Sequence, residues 1–178
     1  MAVLPVRVFP DPILKLSCQS VERVTPTVHR LIHDLTATMR HHPRCVGLAA
    51  PQVGVRWAVA VLETSRHPKG APESGLMVLV NPQIVEADGA VLQREGCLSV
   101  PDLTGNVRRA ARVRVQARDA EGRPWTAWFE GFEAIAVQHE VDHLQGKLFL
   151  DRVSNAKTDV FQRKTYWRAD GTSGRPAQ

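Results

Sequence analysis

The segment His139-Glu140-Val141-Asp142-His143 constrains this 178-residue chain more than any other. Two histidines four apart project from one face of a helix, so both imidazoles can reach a single ion. Glu140 lies roughly 100° round from His139, at about 100° per residue. It stands beside such an ion rather than on it, where it can take a proton from a water. Phe132, Ile135 and Ala136 share the histidine face, while Ala134, Val137, Val141 and Leu144 make the opposite face apolar too. A helix apolar on both sides is buried. Two buried imidazoles beside an ionisable carboxyl are costly unless something charged compensates them, and a cation does so.

The chain carries its own control for that reading. Thr25-Pro26 opens a second helix, expected over residues 26–40, whose apolar stripe is Val28, Leu31, Ile32, Leu35 and Met39. His29 and His33 are also four apart on it, but roughly 100–140° from the centre of the stripe and with no glutamate between them. They are expected at the surface.

Elsewhere, Val55–Leu62 and Met77–Val80 read as short strands, separated by a loop over 67–75 rich in Pro and Gly. Val113, Val115 and Ala117 alternate with Arg112, Arg114, Gln116 and Arg118, the period of a half-exposed strand. A turn over 119–123 and the run Trp125–Phe129 complete a hairpin. The metal-binding helix is expected over 131–145, stopped by Gly146. Residues 169–178, rich in Gly, Ser and Pro, are expected to be disordered. These elements predict one domain over 1–178, of α+β class, with mostly antiparallel strands packed around a central metal-binding helix.

Cys18, Cys45 and Cys97 are odd in number and form no C-x-x-C pair, which argues against a disulfide framework and for a reducing, cytoplasmic setting. No run approaches the roughly 20 apolar residues of a membrane span, and Met1–Pro10 lacks the form of a signal peptide. From Lys147 onward seven basic residues face only three acidic ones, so this region carries most of the net charge of +5. A solvated basic tail is the plain reading; contact with an anionic partner such as ribosomal RNA is the sharper one. DNA is not expected, since no binding motif or aromatic interleaving accompanies the charge.

The third ligand decides the class of an H-E-x-x-H protein. The long form H-E-x-x-H-x-x-G-x-x-H matches through Gly146 and fails at Phe149, and no glutamate follows Glu140 to serve as a downstream ligand. Upstream, Glu95-Gly96-Cys97-Leu98-Ser99 offers a thiol, and one thiolate with two imidazoles leaves an open position, as catalytic centres do. Cys18 and Cys45 compete for the same role on spacing alone.

Three segments carry a family resemblance. Val46-Gly47-Leu48-Ala49-Ala50-Pro51-Gln52, Glu95-Gly96-Cys97-Leu98-Ser99 and Gln138–Gly146 resemble, in order, the signature motifs of peptide deformylases, over roughly Pro10 to Asp151. Two departures stand out: Cys45 replaces a glycine that usually opens the first motif, and Thr104 stands where some members carry arginine. The resemblance implies removal of the formyl group from the formylmethionine of nascent peptides. It makes Cys97, His139 and His143 the metal ligands and Glu140 the general acid/base, with Gln52 and the backbone N–H of Leu98 receiving the oxyanion. Val46, Gly47, Phe132, Ile135 and Ala136 would line a methionine pocket, and Glu95 would also face substrate. An Arg109–Asp142 ion pair would brace the ligand helix. Cysteine and histidine donors suit Fe²⁺, Zn²⁺ and Ni²⁺ alike; the resemblance implies Fe²⁺. A zinc peptidase cutting internal peptide bonds, or a metal-binding protein without turnover, are the competing readings. The retained Glu140 and Gln52 argue against the second.

Overall fold

Strand β2 (Val59–Leu62) is buried at every residue, and the reason organises the molecule. Successive strand side chains point to opposite faces, so an all-apolar strand needs cover on both. Val59 and Val61 pack in one core with Leu31, Leu35 and Met39 of helix α1 (Pro26–His41), while Ala60 and Leu62 pack in a second with Ala136 and Val137 of helix α2 (Gly131–Leu144). The sheet is thus held between the two helices.

This computed structural model describes residues 2–163 and the backbone of 166–167 and 173–174. Around β2 lie β1 (Gly47–Ala49), β3 (Met77–Asp88), β6 (Arg112–Arg118) and β7 (Pro124–Glu130), in the antiparallel order β1-β2-β3-β6-β7. A separate sheet joins β4 (Val91–Cys97), β5 (Val100–Arg109) and β8 (Val160–Gln162), the last following a single helical turn α3 (Ala156–Asp159). β9 (Tyr166–Trp167) pairs with β10 (Ser173–Gly174). The architecture is α+β with antiparallel strands, as the sequence predicts.

Three local outcomes differ from the sequence reading. Strand β2 begins at Val59 rather than Val55, because Val55 N–H bonds Ala50 O at 3.0 Å and Ala58 N–H bonds Gln19 O at 2.8 Å, outside any ladder. β3 continues past Asn81-Pro82, where the proline has no N–H to give and the register shifts between Val80 and Gln83. The β4–β5 hairpin has no counterpart among the expected strands; its inward positions Glu95 and Arg109 are charged, so no apolar alternation announces it.

The helices run close to expectation. Thr25 takes the N-cap position before Pro26, though its hydroxyl makes no cap hydrogen bond. Gly146 ends α2 in the left-handed region at φ 71°, its N–H bonding His143 O at 3.1 Å. Of the end expected to be disordered, Ser173–Gly174 form β10, and the other residues of 169–178 lie outside those described. Among the described residues no helix is long and apolar enough to cross a membrane.

Candidate metal centre

Ten of the fourteen residues of α2 are buried, as a helix apolar all round requires. Its histidine face meets the β4–β5 hairpin. At the end of β4 the ladder shifts from Gly96 opposite Thr104 to Cys97 opposite Val100, and Leu98-Ser99 turns the chain. That irregularity presents Cys97 to the helix, with Sγ 3.2 Å from His143 Nε2. The donor atoms of Cys97, His139 and His143 all lie within 4.8 Å of one another. Neither Cys18 nor Cys45 joins them.

The charge state of the sulfurs follows from their neighbours. Burial pushes the Cys97 thiol up, but His143 and His139 together outweigh it and hold the group well below its ordinary value. Burial also disfavours charge on His139, and Cys97 and Glu95 reverse that, raising it well above the usual histidine range. Cys45 is pushed up to about 12 and Cys18 to about 11, in both cases mainly by burial. Thiolate, not thiol, ligates metals, so Cys97 alone of the three is electrostatically prepared. His139 Nδ1 is 2.8 Å from Glu95 Oε2, which leaves its Nε2 for an ion. One sulfur and two nitrogens gathered in this way fit a divalent cation with an open position.

Behind the donors runs a buried chain of charges. Arg109 donates from Nε to Glu95 Oε1 at 2.7 Å, from Nη2 to Glu95 Oε2 at 3.0 Å and from Nη1 to Asp142 Oδ2 at 2.5 Å. Arg152 adds bonds of 2.6 and 3.0 Å to Asp142. Burial alone would raise the Glu95 carboxyl; Arg109 and His139 overcome it and hold it at about 2. Glu95, expected to face substrate, therefore has both oxygens engaged, one of them orienting His139. Arg109 and Asp142 meet as the family resemblance implies, and Arg152, which no motif marks, completes the set.

Gln52 sits in a 3₁₀ turn (Ala50–Val53) directly after β1. Its Oε1 accepts from Ala49 N–H at 3.0 Å, which turns the amide nitrogen toward Cys97 Sγ at 3.4 Å and Ser99 Oγ at 3.1 Å. Glu140 lies against Gly47, its Oε1 occupying the space a Cβ there would need, so the glycine is what lets the carboxylate in. The Glu140 Oε2 is buried and has no partner among the described residues. Burial pushes this carboxyl up to about 7, against the pull of His139 and His143. A free acceptor titrating near neutrality beside three metal donors is suited to moving a proton.

These groups open into a cleft of about 450 Å³. Val46, Gly47, Phe132, Ile135 and Ala136 line it with Gln52, Glu95, Cys97, Leu98, His139 and Glu140. His143, 1% exposed, completes the cluster from the interior. Residues that the sequence did not single out also contribute. His67 stacks on Phe132 with centroids 4.7 Å apart, Ser99 bonds Gln52, and Arg163 reaches the rim from beyond α3. Ser99 was at least inside a motif; His67 carried no local signal, and Arg163 counted only as one of the basic residues of the C-terminal region.

The known proteins this chain resembles are consistent. A family model described as "Polypeptide deformylase" matches residues 3–159. A peptide deformylase of Alkalilimnicola ehrlichii is 43% identical over 164 residues, 92% of this chain and 89% of that protein. One of Heliobacterium modesticaldum is 44% identical over 155 residues, 87% and 97% of the two chains. Among solved structures, a peptide deformylase from Legionella pneumophila superposes with TM-score 0.80 at 38% identity, covering 88% of this chain and 89% of that one. A class I type b peptide deformylase from Acinetobacter baumannii, bound to Met-Ala-Ser, gives 0.79 at 41%, covering 85% and 99%.

Proposed function

The chain belongs to the polypeptide deformylase family, and from that premise we propose that it is a metallohydrolase removing the N-formyl group from the formylmethionine of newly made polypeptides. The observation that carries this reading is the convergence of three metal donors, an unpartnered Glu140 oxygen and the Gln52 amide at one cleft. Cys97, His139 and His143 would hold the ion, Fe²⁺ in our reading, though Zn²⁺ or Ni²⁺ suit the same donors. When bound, it polarises the formyl carbonyl and makes an attacking water acidic enough to ionise near neutrality.

The rest is done by the chain's own groups. Glu140 accepts the proton of the attacking water and returns it to the departing amine. Gln52 presents a neutral N–H donor to the oxyanion, with the backbone N–H of Leu98 as its companion. Val46, Gly47, Phe132, Ile135 and Ala136 receive the methionine side chain, and burial of that side chain selects it. Glu95 acts at one remove, holding His139 through Nδ1, while Arg109 and Asp142 hold Glu95 and α2 in place.

Metal analysis of anaerobically purified protein, paired with turnover of formyl-Met-Ala and of unformylated peptides, tests the reading. Deformylation with bound iron is expected. Cleavage of internal peptide bonds, or inertness of the metal-loaded protein toward formyl-Met-Ala, would overturn it. An iron form should lose activity in air through oxidation of ion and thiolate, and a nickel form should keep it. We place the protein in the cytoplasm, with ribosome contact through the basic C-terminal region. Reversing Lys157, Arg163, Lys164 and Arg168 together should weaken ribosome co-sedimentation at low salt, with turnover of formyl-Met-amide as the control for folding.

A further inference from the structure

Strand β8 brings one arginine to the mouth of the cleft. It pairs along the outer edge of β5, with Phe161 opposite Thr104, and Arg163 N–H extends the pairing to Asp102 O at 2.8 Å. Phe161 and Arg163, two apart, share a face of this sheet with Thr104, Gly96 and Arg94. Arg94 fixes Phe161, its Cζ 3.6 Å from the ring centroid. Gly96 then makes room for Arg163. The guanidinium Nη2 takes the space a Cβ on Gly96 would need, with Cζ 3.3 Å from that point. Any side chain at residue 96 would push the guanidinium away. The Arg163 Nε is buried without a hydrogen-bond partner among the described residues, although the residue lines an open cleft.

Among the residues that line the cleft, cations outnumber carboxylates. Arg44, Lys69 and Arg94 line the cleft with Arg163, and the carboxylates that line it are Glu95 and Glu140. Both are buried, and Glu95 is already paired. The lining therefore carries more positive than negative groups, with Asp102 the carboxylate across the strand pair from Arg163. Gly96 directly precedes Cys97, and an extended peptide advances roughly 3.3–3.6 Å per residue. A peptide held with its formyl group at the three donors and extended along β4 would pass Arg163 within its first few residues.

Resting on the deformylase reading, we propose that Arg163 is a specificity-determining residue that binds an acidic side chain on one of the two residues following the formylmethionine. It contributes at the rim, where an ion pair keeps part of its hydration, so the preference is modest and salt-sensitive. The contact exists before and during the reaction alike, which places its effect in KM and not in kcat.

The test compares formyl-Met-Ala-Glu-amide with formyl-Met-Ala-Lys-amide, and formyl-Met-Glu-amide with formyl-Met-Lys-amide, in the metal-loaded full chain. The parent should prefer a glutamate peptide by about two- to fivefold in kcat/KM at low salt. Arg163→Gln should bring the ratio to about one through KM, Arg163→Lys should retain most of it, and Arg163→Glu should reverse it. Turnover of formyl-Met-amide, which has no residue to contact, should be equal in all four proteins. Calorimetry with unformylated Met-Ala-Glu-amide and Met-Ala-Lys-amide reads the same preference without turnover. Equal glutamate and lysine peptides in the parent, or a preference that survives Arg163→Gln, overturns the proposal. A parent inert toward formyl-Met-amide that still binds the glutamate peptide better in calorimetry overturns the deformylase reading and leaves Arg163 standing.

Discussion

Helices α1 and α2 each carry two histidines four residues apart, and the fold uses them in opposite ways. On α1, Val28, Leu31, Ile32, Leu35 and Met39 face the core, while His33 is exposed and His29 half-buried. On α2 the sheet covers one side and the β4–β5 hairpin the other, so His143 is 1% exposed and lies 3.2 Å from the Cys97 sulfur. The same spacing thus yields a solvated surface or a metal site according to what covers the histidine face. The ion pairs that tie each helix differ likewise. Arg40 of α1 reaches Glu63 with its side chain 49% exposed, whereas Asp142 of α2 and Arg109 are 4% and 3% exposed.

The widest separation between the helices is expected in metal content. Cys97→Ser and His143→Ala should lose the ion and with it essentially all turnover, while His33→Ala, Cys18→Ser and Cys45→Ser should retain both. Elemental analysis of each variant decides this, and a Cys97→Ser protein with full metal would break the assignment. Next in size is Glu140→Gln, expected to keep its metal and lower kcat by about 10²–10⁴-fold. Near-parental turnover would remove Glu140 from proton transfer.

Stability separates the helices less widely. Arg109→Met leaves buried Glu95 without its arginine and Asp142 with Arg152 alone, and removal of one partner from a buried pair costs about 3–5 kcal/mol. Arg40→Met, which breaks an exposed pair, should cost at most about 1 kcal/mol. Urea unfolding of the two metal-free variants against metal-free parent measures both, and equal losses would dissolve the distinction. The smallest effect belongs to His29→Ala and His33→Ala, each expected within about 0.5 kcal/mol of the parent by the same measurement. A larger loss from either would show that α1 relies on its histidines after all.

What the sequence determined by itself were the features written at short range. Helical spacing set His139 and His143 on one face, the apolar residues around them required burial, and Gly146 marked the end of the helix. Alternation revealed β6, and turn chemistry joined it to β7. Tertiary structure decided what depended on partners distant in the chain. Cys97 and Cys45 are both cysteines near motif segments, and spacing left them equal; the histidines beside Cys97 and the burial of Cys45 give one sulfur its charge and deny it to the other. Glu95 and Arg109 hid a hairpin from pattern reading because charged residues face inward there, and they do so only because each supplies the other's counter-charge at 2.7 Å. Arg163 could be read as part of a basic tail until β8 paired with β5 and turned it into the cleft. Periodicity records which faces need cover, but a charge is stabilised by partners that folding alone brings within reach.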